Sequence, residues 1–254
     1  MNGLVQDLRY ALRKLRKSPA FAVVAIITLT LGIGVNTSMF SLVNAVILKE
    51  SPVSHPAQLV FPAGVRPDGA DNNFAYKEFE EIRNRNESLS GAFAFDTTRF
   101  LASVNGQTDY VFGQCVSGNF FSVLGVKPTL GRALTQQDDQ AGQPPVVVIS
   151  HDYWKRRFAS DPGALNSSVV IKKIPFQVVG VAPRSFRGIE LGDAVDIWMP
   201  ITYWPQVRLG DHLMVGIMGR LKPGTTIAQA SAELGVIDTD YAARKLDPNE
   251  ISQN

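Results

Sequence analysis

The chain has 254 residues, 45% of them hydrophobic and 19% charged, enough for a real buried core and inconsistent with a disordered chain or a collagen-like fibre. Its net charge of +2 hides an uneven distribution: residues 1–19 hold five cations (Arg9, Arg13, Lys14, Arg16, Lys17) against Asp7, residues 20–48 hold no charge, and residues 49–254 hold 20 cations and 22 anions. That slightly acidic remainder offers no basic face for nucleic acid, and a single cysteine, Cys115, with three scattered histidines excludes an internal disulfide and a zinc site of the usual spacing.

In chain order, Leu4, Leu8, Leu12 and Leu15 fall at helical spacing with Arg9, Arg13 and Arg16 on other faces, which predicts a short helix in the membrane interface, ended by Ser18-Pro19. The 29 uncharged residues Ala20 to Leu48 then exceed the roughly 20 that a helix needs to cross a hydrocarbon core of about 30 Å. A cleaved signal peptide would have a shorter apolar run and a small-residue processing site; here GIGVNTS (Gly32–Ser38) is followed by the further apolar stretch MFSLVNAVIL. An uncleaved transmembrane helix is therefore expected. Five cations before it against Lys49 after it place the N-terminus in the cytosol and the bulk of the chain outside. Gly32, Asn36, Ser41 and Asn44 give the span a small and polar face, suited to packing against other spans.

Beyond the span, Ser51 to Asn73 reads as a loop rich in Pro, Gly and Asp, followed by a helix over Tyr76–Arg85 with Phe79 and Ile82 on one side. Alternation predicts strands at Gly91–Phe95, Phe100–Val104 and Asp109–Cys115, with Asn105-Gly106 as a hairpin turn. Pro144–Ser150 (PPVVVIS) is a buried-strand pattern leading into a helix over Asp152–Phe158. Further strands are expected at Ser168–Lys172, Phe176–Ala182, Asp196–Met199 and His212–Leu221. A last helix begins with a capping box, Thr226 with Gln229, and carries Ile227, Ala230, Leu234, Ile237 and Tyr241 along one face. Helices and strands do not alternate strictly, so the fold class expected is α+β, a mixed domain behind a single N-terminal transmembrane helix.

No constellation for chemistry emerges. Ser150-His151-Asp152 has the residue types of a hydrolase triad, but adjacent residues point in different directions, and the segment reads as a helix N-cap. There is no nucleophile elbow, no H-E-x-x-H helix and no phosphate-binding P-loop. Asp138-Asp139, in TQQDDQAGQ, reads as a solvated pair rather than a metal site, and Arg156-Arg157 beside Trp154 and Phe158 as arginines snorkelling over the core. His55 and His212 stand alone. No residue is assigned a catalytic, cofactor-binding or metal-binding role, and no enzymatic activity or cofactor is expected.

The order of segments nevertheless resembles a family. Leu4–Leu48, Gly118–Asp139 (GNFFSVLGVKPTLGRALTQQDD), Pro144–Phe158, Phe176–Pro183 (FQVVGVAP), Asp196–Pro200 (DIWMP) and Gly219–Leu234 (GRLKPGTTIAQASAEL) together are similar to permeases of the MacB type, with an FtsX-like membrane part and a MacB-like periplasmic core domain. Asn166-Ser167 departs from the family's usual Gly-Lys step. The resemblance implies a cytosolic amphipathic basic segment at 1–19, a transmembrane helix at 20–48 and a periplasmic core domain at 49–254, in a single-pass protein of the inner membrane. Family members continue with more periplasmic chain and three further spans, so the expectation is an incomplete core domain, from a truncated gene or a partial copy. The implied role is a non-catalytic permease component that couples a cytosolic ABC ATPase subunit to the outer domain. Its implied partners are that ATPase, other permease spans or a second permease copy, and the lipid bilayer. The alternative is a membrane-anchored periplasmic binding or sensing module that acts without an ATPase.

Overall fold

The computed structural model describes residues 53–62, 64–66, 69–189, 194–207 and 214–245. The basic segment, the predicted span with its Gly32, Asn36, Ser41 and Asn44 face, and His212 lie outside the described residues. Among the described residues, no helix is long and apolar enough to cross a membrane.

The stretch read as one loop contains a 3-10 turn, Pro56–Gln58, and the short strands β1 (Leu59–Val60), β2 (Gly64–Arg66) and β3 (Gly69–Asp71), and β4 (Phe74–Ala75) follows it. Helix α1 follows over Tyr76–Arg85, burying Phe79 and Ile82 as their spacing requires; Glu78 reaches back to the Ala75 N–H at 3.3 Å. The two strands expected at 91–95 and 100–104 are one, β5 (Leu89–Val104), because the intervening Asp96, Thr97 and Thr98 stay in register with Cys115, Gln114 and Gly113. The turn Asn105-Gly106, with φ of 50° and 78°, returns the chain into β6 (Gln107–Val116). Helix α2 (Phe120–Leu124) and strand β7 (Leu130–Gly131) come next, then β8 (Val146–Ile149) and helix α3 (His151–Phe158). A 3-10 turn at Pro162–Asn166 leads to β9 (Ser168–Ile171) and β10 (Ile174–Val181). Strand β11 (Ile197–Pro200), the turn Ile201–Tyr203, the short helix α4 (Trp204–Val207), β12 (Met214–Leu221) and helix α5 (Ile227–Lys245) complete the described chain.

Ten strands form one mixed sheet with β1-β12-β5-β6-β11-β8-β10-β7 as its path, β6 and β11 parallel, β8 and β10 parallel. Strand β9 closes part of this sheet into a ring, pairing with β10 through Ile171↔Ile174 and with β5 through Ile171↔Ala102. The six strands β5, β6, β11, β8, β10 and β9 thereby make a small barrel, and alternation sends Phe100, Ala102, Val111, Cys115, Val147, Ile149, Ile171, Val178, Ile197 and Met199 into one buried cluster. Gly113 is required there, since a Cβ at that position would overlap the Phe100 ring. The same cluster continues under α1 and α5 through Phe79, Ile82, Ala230, Leu234 and Ile237.

The opposite face carries a second cluster, in which Phe93, Phe120, Phe121, Phe186 and Trp198 meet edge-on, tilted or stacked at centroid distances of 4.9–6.2 Å. Strands with both faces covered have no polar side: all four residues of β8 and of β11 are buried. Helix α5 departs from expectation at its first turn, where Ile227 is 64% exposed although Ala230, Leu234 and Ile237 are buried. Residues 51–254 form one unit, and the architecture is α+β.

Candidate functional site

The residues that first suggest chemistry turn out to hold the fold together. Ser150 caps α3: its Oγ accepts from the Tyr153 N–H at 3.0 Å. His151 lies edge-on to Trp154, with its Nδ1 3.9 Å from an Asp152 oxygen, and makes no contact with the Ser150 hydroxyl that a triad would need. Tyr153, buried under α3, is pushed up to about 12 by burial and stays a neutral phenol.

Asp138 and Asp139 are not a solvated pair. Asp138 is 8% exposed and accepts from both Arg132 Nη atoms at 2.7 and 2.8 Å, and from the Thr135 N–H and hydroxyl at 2.8 Å each. Burial pushes its carboxyl up, but the bonds from Arg132 and Thr135 outweigh burial and hold it below the usual carboxylate range. Asp139 accepts from the Gly118 N–H at 3.1 Å, the Thr202 N–H at 3.3 Å and the Tyr76 hydroxyl at 3.5 Å. Burial raises it, and those donors offset the rise only in part. Asp139 thus ties the turn before α2, α1 and the turn after β11 together, while Asp138 fixes the Arg132–Thr135 segment. Among the described residues no three His, Cys, Asp or Glu side chains converge as a metal site. Arg156 bonds Asp196 at 2.9 Å and lies over the Tyr153 ring, while Arg157 pairs with Asp109 at 3.1 Å and donates to the Gln107 carbonyl at 2.6 Å, so both brace α3 against the barrel.

What the structure does assemble is a junction where the chain joins the sheet. The Ser54 N–H donates to the Leu124 carbonyl at 2.9 Å, and β1 pairs with the end of β12 through Leu59↔Arg220. Arg220 donates from Nε to the Val123 carbonyl at 2.8 Å and from Nη1 to the His55 carbonyl at 3.0 Å, fastening this segment to α2 and β12. His55 holds a left-handed φ of 45°, uncommon outside glycine, and its carbonyl also receives the Gln58 N–H at 3.0 Å. Gly125, at φ 73°, ends α2 in the left-handed region, and a Cβ there would strike the Ser54 hydroxyl. Sequence reasoning left His55 isolated and did not single out Arg220; no local signal links residues so far apart.

Two apolar surfaces accompany the junction. One is a groove of about 360 Å³ beside α5, with Phe74, Ile82 and Leu234 as its floor and the exposed Phe61 and Ile227 at its edge. The other is the outer barrel face, where Leu101 and Tyr110 pair across β5 and β6 and are both more than half exposed. These features can grip, transmit or bind; none aligns a nucleophile with a base.

The profile of the MacB-like periplasmic core domain matches residues 22–237. The chain is 29% identical over 119 residues to the probable export ATP-binding/permease protein MacB of Pseudomonas entomophila, a match that covers 47% of this chain and 18% of that protein. It is 31% identical over 109 residues to the probable syringafactin export ATP-binding/permease protein SyfD of Pseudomonas syringae pv. syringae, covering 43% and 16%. The chain therefore spans less than a fifth of the length of these curated relatives. In fold it is similar to the periplasmic region of MacB from Actinobacillus actinomycetemcomitans, with a TM-score of 0.56 at 17% identity over 74% of this chain and 92% of that one. It is also similar to the extracellular domain of the transporter YknZ from Gram-positive bacteria, with a TM-score of 0.57 at 13% identity over 73% and 93%.

Proposed function

The chain belongs to the MacB-like periplasmic core domain family, and on that premise we propose that it is a permease component of a MacB-type ABC transporter, held in the inner membrane by its N-terminal span. In this reading residues 1–19 lie on the cytosolic side, 20–48 cross the bilayer once, and 49–254 form the extracytoplasmic domain. The observation that carries it is the continuity of the family match, residues 22–237, through most of the predicted span and on into the folded unit. The family is a transporter permease component rather than an enzyme. Its work is mechanical: a separate or fused ATPase hydrolyses ATP in the cytosol, and the membrane helices pass the change outward. The junction of Ser54, His55 and Arg220 supports such a route, because it ties the start of the described chain to the sheet by hydrogen bonds.

A cysteine at Lys155, exposed on α3, tests the topology in intact spheroplasts, since Cys115 is buried and silent. A membrane-impermeant maleimide is expected to label Lys155→Cys without lysis. Labelling only after lysis refutes the orientation. A second reading, an anchored binding or sensing module without an ATPase, is favoured by the apolar groove beside α5, which has the volume of a small-ligand pocket.

A further inference from the structure

We infer that the hollow at the junction is a binding site for a phosphate-type anion, with the Arg220 guanidinium as its charge and the hydroxyl of Ser54 as a second donor. The hollow has a volume of about 390 Å³ and is lined by Ser54, His55, Ser90, Ser122 and Arg220 with the backbone of Gly91 and Gly125. No carboxylate lines it among the described residues.

The other arginines of the fold make the contrast. Three of them, Arg132, Arg156 and Arg157, each face an aspartate within 3.1 Å, whereas among the described residues Arg220 has only the neutral carbonyls of Val123 and His55. Its Nη2 is shielded from bulk water and has no acceptor among the described residues. Burial also lowers its proton affinity, with no carboxylate opposing the shift. A guanidinium has five donor hydrogens in a fixed fork, a geometry that suits phosphate, and two carbonyls use two of them. The remaining serines are partly engaged: Ser90 Oγ donates to the Arg220 carbonyl and Ser122 Oγ to the Asn119 carbonyl. The close seat of Ser54 on Gly125 and the left-handed backbone of His55 hold the open side of the hollow in place.

The anion could come from a lipid headgroup or from a soluble phosphate. The headgroup is the source we assign, a choice that rests on the anchored reading above. The predicted span ends at Leu48, six residues before Ser54 in sequence, and that proximity along the chain favours a headgroup.

Two measurements on the full chain test the inference. In neutral detergent, calorimetric titration with inorganic phosphate is expected to show one site per chain. Affinity should fall at least tenfold in Arg220→Gln and several-fold in Ser54→Ala, a variant that removes no side-chain hydrogen bond among the described residues. Absence of binding, or equal affinity in Ser54→Ala and in a folded Arg220→Gln, overturns the site. In nanodiscs, amide exchange at residues 54–58 is expected to be slower in phosphatidylglycerol than in phosphatidylcholine, and this difference should vanish in Arg220→Gln. Equal exchange in the two lipids, with phosphate binding intact, overturns the lipid source and leaves a soluble phosphate as the ligand. Failure of the chain to enter nanodiscs refutes the anchored reading, and with it the lipid source, while the detergent titration still decides the site.

Discussion

The two halves of the sheet satisfy their strand edges in opposite ways. In the barrel half, β9 joins β10 to β5 and leaves the six strands hydrogen-bonded in a ring around apolar side chains. In the other half, β12 is flanked by β5 and by β1 and β4, strands of only two residues each, and α1 and α5 cover the exposed face. A ring resists deformation because no strand can leave without breaking two ladders. An open sheet capped by helices can be peeled from its edge. The segment at 54–60 joins the sheet at the open half, beside β12, so under the coupling role proposed above the barrel is the rigid body and the open half the place where a pull or push is received.

The largest expected effect lies in the barrel. Phe100→Ala empties the space beside Gly113 and should cost about 3–5 kcal/mol, measured as a loss of cooperative thermal unfolding by near-ultraviolet circular dichroism. In the open half, Leu234→Ala opens the floor of the groove, at about 2–4 kcal/mol. Its signature should be local: amides of α5 exchange early while those of β6 and β8 remain protected. Equal loss of protection in both halves would mean that the two unfold as one unit and remove the distinction.

A smaller effect belongs to Glu233, whose carboxylate accepts the backbone N–H groups of Glu87 and Ser88 and pins α5 over the start of β5. Glu233→Ala should cost about 1 kcal/mol and raise exchange in the same helix. Arg85–Asp240 and Arg244–Glu81, both at 2.8 Å, are exposed ion pairs between α1 and α5, and their removal should leave stability nearly unchanged.

The smallest effect is a matter of sign. Asp138 is held below the usual carboxylate range, so the stability it contributes is present above about pH 3.9 and is lost as pH falls through its lowered value. Asp139 is raised, so its contribution is present below about pH 3.9 and is lost as pH rises through its raised value. Relative to the parent, Asp138→Asn should become less stable with rising pH and Asp139→Asn more stable. Chemical denaturation at a series of acid pH values measures both slopes, and slopes of one sign would contradict the environments assigned to the pair.

Much of this organisation was legible where interactions are local. The span of α1, the Asn105-Gly106 turn, the Ser150 cap and the Thr226–Gln229 box depend on residues within a few positions of one another, and each stands as expected. Barrel closure was not legible, because it rests on two register pairs between strands about seventy residues apart. Helix α2 is five residues long, too short to show a period. Asp138-Asp139 looked solvated because the surrounding TQQDDQAGQ is polar; of their partners, Tyr76 and Thr202 lie more than sixty positions away. The Arg220 bond to His55 spans 165 positions, beyond any pattern in one sequence.

The central claim is that this domain serves an ATPase-driven permease, and copurification tests it most directly. Full-length chain, tagged at its C-terminus and extracted gently from native membranes, should retain an ABC ATPase, identified by mass spectrometry of its nucleotide-binding peptides. Recovery of the chain from the membrane with no such ATPase, across several detergents, would contradict the claim and leave the anchored sensing module as the reading that stands.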